Sequence, residues 1–115
     1  MEGCHYIGNQ WAAPEGGATI PAIDPADGRP FSAIARGGAT DVDRAVAAAR
    51  ATLGETFDGP WGRLTAAERG RLLMKLCQAV RDHHEELAQL EARDTGKALR
   101  VARNDATALA RYFEY

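Results

Sequence analysis

The chain has 115 residues, enough for one small domain. Hydrophobic residues make up 45% and charged residues 26%, the balance of an ordinary folded protein and not of a disordered tail. The formal net charge is -2, so no concentrated positive field is present to draw a nucleic acid. No apolar run approaches the roughly 20 residues that a bilayer span needs, and the acidic Glu2 with no apolar core over residues 1–11 argues against a secretory signal. Cys4 and Cys77 are the two cysteines, and without an export signal they read as reduced thiols of a cytoplasmic protein.

The first 38 residues read as short strands and turns. Tyr6-Ile7 and Gln10-Trp11 flank Gly8-Asn9, a two-residue hairpin signal because both central residues tolerate positive φ. Pro14 to Gly17 is a loop, and Thr19 to Ile23 a strand that Pro21 confines to an edge. Asp24-Pro25-Ala26-Asp27-Gly28 carries strong turn chemistry, after which Phe31 to Arg36 returns as the paired strand. Cys4-His5 has the makings of a metal site, but no second pair at matching spacing follows, so the segment reads as a flexible terminus.

A helix is predicted over 40–54, with Thr40 and Asp43 as its capping box. Val42, Val46, Ala49 and Leu53 share one face, whereas Asp41, Asp43, Arg44 and Arg50 keep largely to others. Gly54 ends it. In the loop that follows, Trp61 is expected to anchor against packed helices. The longest amphipathic stretch comes next, over 65–95. Thr65 and Glu68 form its capping box, and Leu73, Leu76, Val80, Leu87 and Leu90 fall on one stripe beside Leu72. His83-His84 marks a candidate break, Arg81 and Glu85 are spaced as an i,i+4 pair, and Gly96 supplies the stop. A last helix is predicted over 98–115, with Val101, Ala108, Leu109, Tyr112 and Phe113 on its apolar side. It ends on three aromatics within four residues and no cap, which predicts a piece of a larger protein.

Candidate chemistry is sparse. Cys77 lies mid-helix, away from the backbone N–H groups or base that would activate a thiol, and reads as a packing residue. His83 and His84 are adjacent and diverge by about 100° on a helix, so they cannot share a metal; one surface and one half-buried histidine is the reading. Gly96-Lys97 fails the phosphate-loop pattern, because Glu91 stands where glycine is needed and Ala98 where Ser or Thr is needed. Asp94 is the exception. A carboxylate at a helix C-terminus opposes the macrodipole and needs compensation. Backbone N–H groups, Arg93, Lys97, a bound cation and a distant backbone partner are the alternatives.

The residues in order resemble the N-terminal part of an aldehyde dehydrogenase. The carriers are Tyr6-Ile7-Gly8-Asn9-Gln10-Trp11, Ile23-Asp24-Pro25-Ala26-Asp27-Gly28, Asp41 through Arg50, Pro60-Trp61, Ala67 through Leu73, Leu90-Glu91 with Asp94-Thr95-Gly96-Lys97, and Arg111 through Tyr115. The family's usual Asn-Pro is Asp24-Pro25 here, which an Asx-type turn tolerates. The resemblance implies an α/β fold, with these hairpins and outer helices belonging to a Rossmann-like cofactor-binding domain that 1–115 does not complete. It implies an oxidoreductase that converts an aldehyde to a carboxylic acid with NAD or NADP, through a cysteine thiolate and a water-activating glutamate. Neither group, nor the oxyanion asparagine or a cofactor loop, matches a position here, so no catalytic or cofactor-binding residue is assigned and the chain alone is expected to be inactive. It further implies a K+ or Na+ ion held by Asp94 with the backbone carbonyls of Ala22 and Ile23 and a ligand beyond residue 115, and a homodimer or homotetramer. The reading that competes with the enzyme is a stand-alone helical interaction module with an exposed apolar stripe.

Overall fold

The computed structural model describes residues 3–115 and divides into two compact units. One takes the chain up to Ile23 together with Pro30–Leu64; the other takes Asp24–Arg29 and Thr65–Tyr115.

The first unit holds two antiparallel hairpins and a helix. β1 (His5–Ile7) and β2 (Gln10–Ala12) pair with Tyr6 opposite Trp11. Gly8 and Asn9 turn between them at φ 58° and 64°, the left-handed pair that a two-residue hairpin requires. The cross-strand rings of Tyr6 and Trp11 meet edge to face with centroids 5.0 Å apart. A single 3-10 turn at Glu15–Gly17 follows, then β3 (Thr19–Ile23) and β4 (Pro30–Ala35). Their register slips between Ala22 and Ile23, so that Ile23 faces Pro30. Pro21 is accommodated because each strand of a two-stranded sheet is an edge.

The helix α1 runs over Ala39–Leu53 and corrects the predicted cap. The capping pair is Gly38 with Asp41, not Thr40 with Asp43: the Gly38 N–H donates to Asp41 Oδ2 at 3.1 Å. The face assignment changes with it. Asp41 is the helix's one buried residue, whereas Val42, Val46 and Leu53 stay exposed. Alternation at helical period finds which residues share a face, but not which face is covered. At the far end, the loop returns onto the last turn through its backbone. The Gly59 N–H donates to Leu53 O at 3.0 Å and the Trp61 N–H to Thr52 O at 2.9 Å, so Trp61 anchors by its main chain while its ring stays partly exposed.

The second unit is a helical layer: α2 (Ala66–Asp82), α3 (His84–Thr95) and α4 (Leu99–Glu114). The predicted capping box opens α2, with the Glu68 N–H donating to Thr65 Oγ1 at 3.3 Å and the Thr65 N–H to Glu68 Oε2 at 2.8 Å. The long segment breaks at His83, whose φ of -102° and ψ of 17° leave the helical well. Both α2 and α3 pack along α4. Cys77 and Val80 meet Ala110, Ala88 meets Ala102 and Ala106, and Leu87 touches both clusters. The predicted leucine stripe is largely not the buried one. Val80 and Leu87 face inward, but Leu72, Leu73, Leu76 and Leu90 are exposed. Small side chains fill the helix contacts because alanine lets two helix axes approach to the short end of the usual 8–10 Å range.

Ion pairs complete this layer. The predicted Arg81–Glu85 pair does not form, since the break at His83 falls between the two residues and turns α3 away from the helical row. Arg81 bonds instead to Glu114, and Glu85 receives Arg103 through two contacts of 2.8 Å. The bidentate guanidinium, helped by Gln89, holds the Glu85 carboxyl down to about 2. Lys97 lies between Glu91 and Asp105, with Asp105 Oδ2 at 2.9 Å. The Asp24–Arg29 turn lies against the end of α3. Gly96 closes that helix at φ 72°, and a Cβ there would stand 2.8 Å from Pro25 Cγ. Among the described residues no helix is long and apolar enough to cross a membrane.

Two measurements check this packing. A carboxylate depressed by folding contributes stability above its unfolded value of about 4.3, and that contribution is lost as pH falls toward about 2. Acid titration followed by helical circular dichroism should therefore show a loss over that window, and Glu85→Gln should flatten it; an unchanged titration would show that the pair does not couple α3 to α4. Cys77 is 1% exposed and its thiol is pushed up by burial. Native protein should thus release one thiol, that of Cys4, to a soluble disulfide reagent, and a second only on unfolding.

Candidate functional site

Three positions form the predicted cation site, and the two units divide them. Ala22 and Ile23 close β3 in the first unit, and Asp94 sits in the last turn of α3 in the second. At Ile23 the ladder partner is Pro30, which has no N–H to donate, so this opposite residue cannot take up the Ile23 carbonyl. Ala22 keeps Ser32 as its partner.

Asp94 is exposed, and among the described residues its carboxylate makes no hydrogen bond or ion pair. The compensating partners expected from sequence are engaged elsewhere. Arg93 Nε donates to Asp24 Oδ2 at 3.4 Å, and Lys97 is taken by Glu91 and Asp105. Asp24 is itself fixed, because its Oδ1 accepts the Ala26 N–H at 2.9 Å as an Asx turn does. A carboxylate is thus left beside the negative pole of α3 with no positive side chain on it. The Lys97 amine is equally unsuited to a phosphate, since two carboxylates already hold it. Among the described residues no group of three His, Cys, Asp or Glu side chains gathers to hold a metal.

The remaining candidates settle as structural. Cys77 is enclosed by Val80, Ala110, Leu87 and Phe113. His83 stands on the surface with Nδ1 2.9 Å from Glu86 Oε2, and His84 is half-buried with Nε2 2.8 Å from Arg103 O.

One constellation was not anticipated. Asp41 is 3% exposed, and its carboxylate accepts the Glu15 N–H at 3.1 Å and the Gly38 N–H at 3.1 Å. Arg44 Nη1 stands 3.4 Å from Oδ1 and His5 Nε2 3.7 Å from Oδ2. The two backbone donors outweigh burial and hold the Asp41 carboxyl below the usual carboxylate range, with His5 and Arg44 adding to the same direction. Cys4-His5 is therefore no flexible terminus: His5 begins β1 and its ring is largely covered. The available signal was Asp41 three residues after Gly38, the spacing of an N-terminal capping acid. It was masked by the equivalent spacing of Thr40 and Asp43.

Comparison with known proteins places this architecture. The sequence pattern of the aldehyde dehydrogenase family matches residues 11–115. A hydroxyisobutyraldehyde dehydrogenase of Mycolicibacterium austroafricanum is 39% identical over 110 residues, which is 96% of this chain and 21% of that protein. Among solved structures, a Burkholderia cenocepacia chain assigned to the aldehyde dehydrogenases is 58% identical with a TM-score of 0.89, covering 96% of this chain and 23% of that one. PnpE, solved in complex with nicotinamide adenine dinucleotide, is 42% identical with a TM-score of 0.89, covering 100% and 23%. The chain thus spans about a fifth of the length of the relatives it matches. Its hairpins and helices are those of an α/β, Rossmann-like subunit, and the chain belongs to the aldehyde dehydrogenase family.

Proposed function

We propose that residues 1–115 are the opening part of the cofactor-binding domain of an NAD(P)-dependent enzyme that oxidises an aldehyde to a carboxylic acid. The match over residues 11–115 carries this reading. The dinucleotide is supported by the NAD-bound PnpE, 23% of which this chain matches in sequence and in fold. The segment supplies scaffold and no reacting group. Its buried cysteine has a thiol raised by desolvation, the reverse of what a nucleophile needs. We place the enzyme in the cytoplasm, consistent with two free thiols, and assign the intact subunit to a homodimer or homotetramer on the family resemblance.

The 115-residue chain given an aldehyde with NAD or NADP should produce no reduced dinucleotide above a blank. Turnover that Cys77→Ala abolishes would overturn the assignment, because the nucleophile would then lie in this segment. A cooperatively melting monomer that captured a partner protein while matching no part of an enzyme's activity would support the interaction module instead.

The proposal includes a monovalent cation, K+ or Na+, on Asp94 with the carbonyls of Ala22 and Ile23. It is supported by the uncompensated carboxylate at the end of α3 and by the proline opposite Ile23. Thermal melts in potassium or sodium chloride, set against tetramethylammonium chloride at equal ionic strength, should give the higher midpoint in the small cation. Asp94→Asn should erase the difference; a difference that survives the substitution would exclude Asp94 as a ligand.

A further inference from the structure

The Asp-Gly dipeptide occurs twice in the chain, at Asp27-Gly28 and Asp58-Gly59, and Asn-Gly does not occur. In such a pair the glycine nitrogen can reach the aspartate carboxyl, because no side chain on glycine obstructs the ring that closes. The two pairs share this chemistry but not their surroundings. Asp27 and Gly28 are both exposed, and outside its chain neighbours no heavy atom stands within 4 Å of where a Cβ on Gly28 would be. Asp27 Oδ1 accepts the Arg29 N–H at 2.9 Å, so the carboxyl is already folded over the intervening Gly28 peptide. The Gly28 nitrogen is held by a bond to Asp24 O at 2.8 Å, in a surface turn where local opening costs least. Gly59 is buried instead. Its N–H donates to Leu53 O at 3.0 Å, and a Cβ on it would stand 2.5 Å from Thr52 O. The Trp61 and Arg63 N–H groups are bonded as well, so freeing the Gly59 nitrogen means lifting the loop off the last turn of α1.

We propose that Asp27 is a site of spontaneous isoaspartate formation in the folded chain, and that the burial of Gly59 spares Asp58. The Gly28 nitrogen loses its proton to solvent and attacks Asp27 Cγ; the new N–Cγ bond closes a succinimide, and the side-chain hydroxyl leaves as water. Water then adds to the main-chain carbonyl carbon of Asp27, and the original C–N bond to Gly28 breaks while the N–Cγ bond remains. A water is released and a water consumed, with no change of oxidation state. The product carries its free carboxylate on the former main-chain carbon, the group that an isoaspartyl carboxyl methyltransferase takes as substrate. Its backbone is longer by the Asp27 Cβ, so the Asp24 N–H to Arg29 O bond of 2.9 Å loses its register along with the Gly28 bond. The turn that sets Pro25 against Gly96 and Asp24 against Arg93 is what loosens.

The test is ageing of the 115-residue chain for several weeks at physiological temperature and pH, followed by peptide mapping of isoaspartate. Asp27 should accumulate about tenfold more than Asp58, the factor expected when further backbone bonds must open to free Gly59. In urea the two sites should react at comparable rates, because they share the dipeptide. Asp27→Glu, whose longer side chain closes the ring poorly, should remove the main signal. Should that variant fail to fold, the folded and urea-treated wild-type chains decide. Equal or reversed yields in the folded chain, no yield at Asp27, or a preference for Asp27 that persists in urea overturns the proposal. In the aged chain the Asp24 amide should exchange faster with solvent, and unchanged exchange there would overturn the loosening of the turn.

Discussion

Three alanines on one row of α4 set the geometry of the helical unit. Ala102, Ala106 and Ala110 recur every four residues and are all buried. With no side chain beyond Cβ, this row lets α2 and α3 lie close, and close approach is what brings the charged ends within reach of each other. Glu85 can clasp Arg103 with both oxygens, and Lys97 can bond Glu91 and Asp105 at once, because the axes are near. Larger residues on that row would separate the helices and lengthen each of these bonds. A valine in place of Ala106 would add two methyl groups to a contact already filled by Ala88 and Ala102, and overpacking of this kind costs about 1–3 kcal/mol.

The same row explains which parts of the fold were legible in the sequence. Caps and stops were, because they depend on a few adjacent residues. Thr65 with Glu68 opens α2, Gly96 closes α3, and Gly8-Asn9 turns the first hairpin, each through local geometry that nothing distant can override. The buried stripe was not. Hydrophobic periodicity ranks Leu72, Leu73 and Leu76 above alanine, so it selects the face with the large side chains. Here that face is exposed, and the small-residue face makes the contact. Only the position of α4, a tertiary fact, decides between the two.

Asp41 was hidden by a different competition. Gly38 to Asp41 and Thr40 to Asp43 share one spacing, and side-chain preference favours the threonine. The backbone N–H of Glu15, 26 residues away in the chain, shifts the balance by giving Asp41 a second donor. A carboxylate with two backbone donors can be buried, one with a single donor is better left in water. The candidate cation site shows the converse. Asp94 stood out in the sequence because a carboxylate at a helix C-terminus is locally unfavourable, and the structure leaves that conflict uncompensated by diverting Arg93 to Asp24 and Lys97 to Glu91 and Asp105. Local conflict is readable from sequence; the long-range donor that resolves it is not.

The environment of Cys77 shows why this thiol is not activated. A thiolate needs stabilisation from a helix N-terminus, a cation or a base. Cys77 sits in the interior of α2, where every nearby backbone N–H is already committed to the helix. Its nearest cation, Arg81, lowers the thiol, but Arg81 is bonded to Glu114, whose charge acts in the opposite direction. Desolvation is the largest influence, and the thiol is raised. A nucleophile could be made here only by removing Glu114 and opening the Val80–Ala110 contact to water, which would dismantle the packing of α2 on α4. Close packing and thiol activation make opposite demands on this site, and the alanine row of α4 commits it to packing.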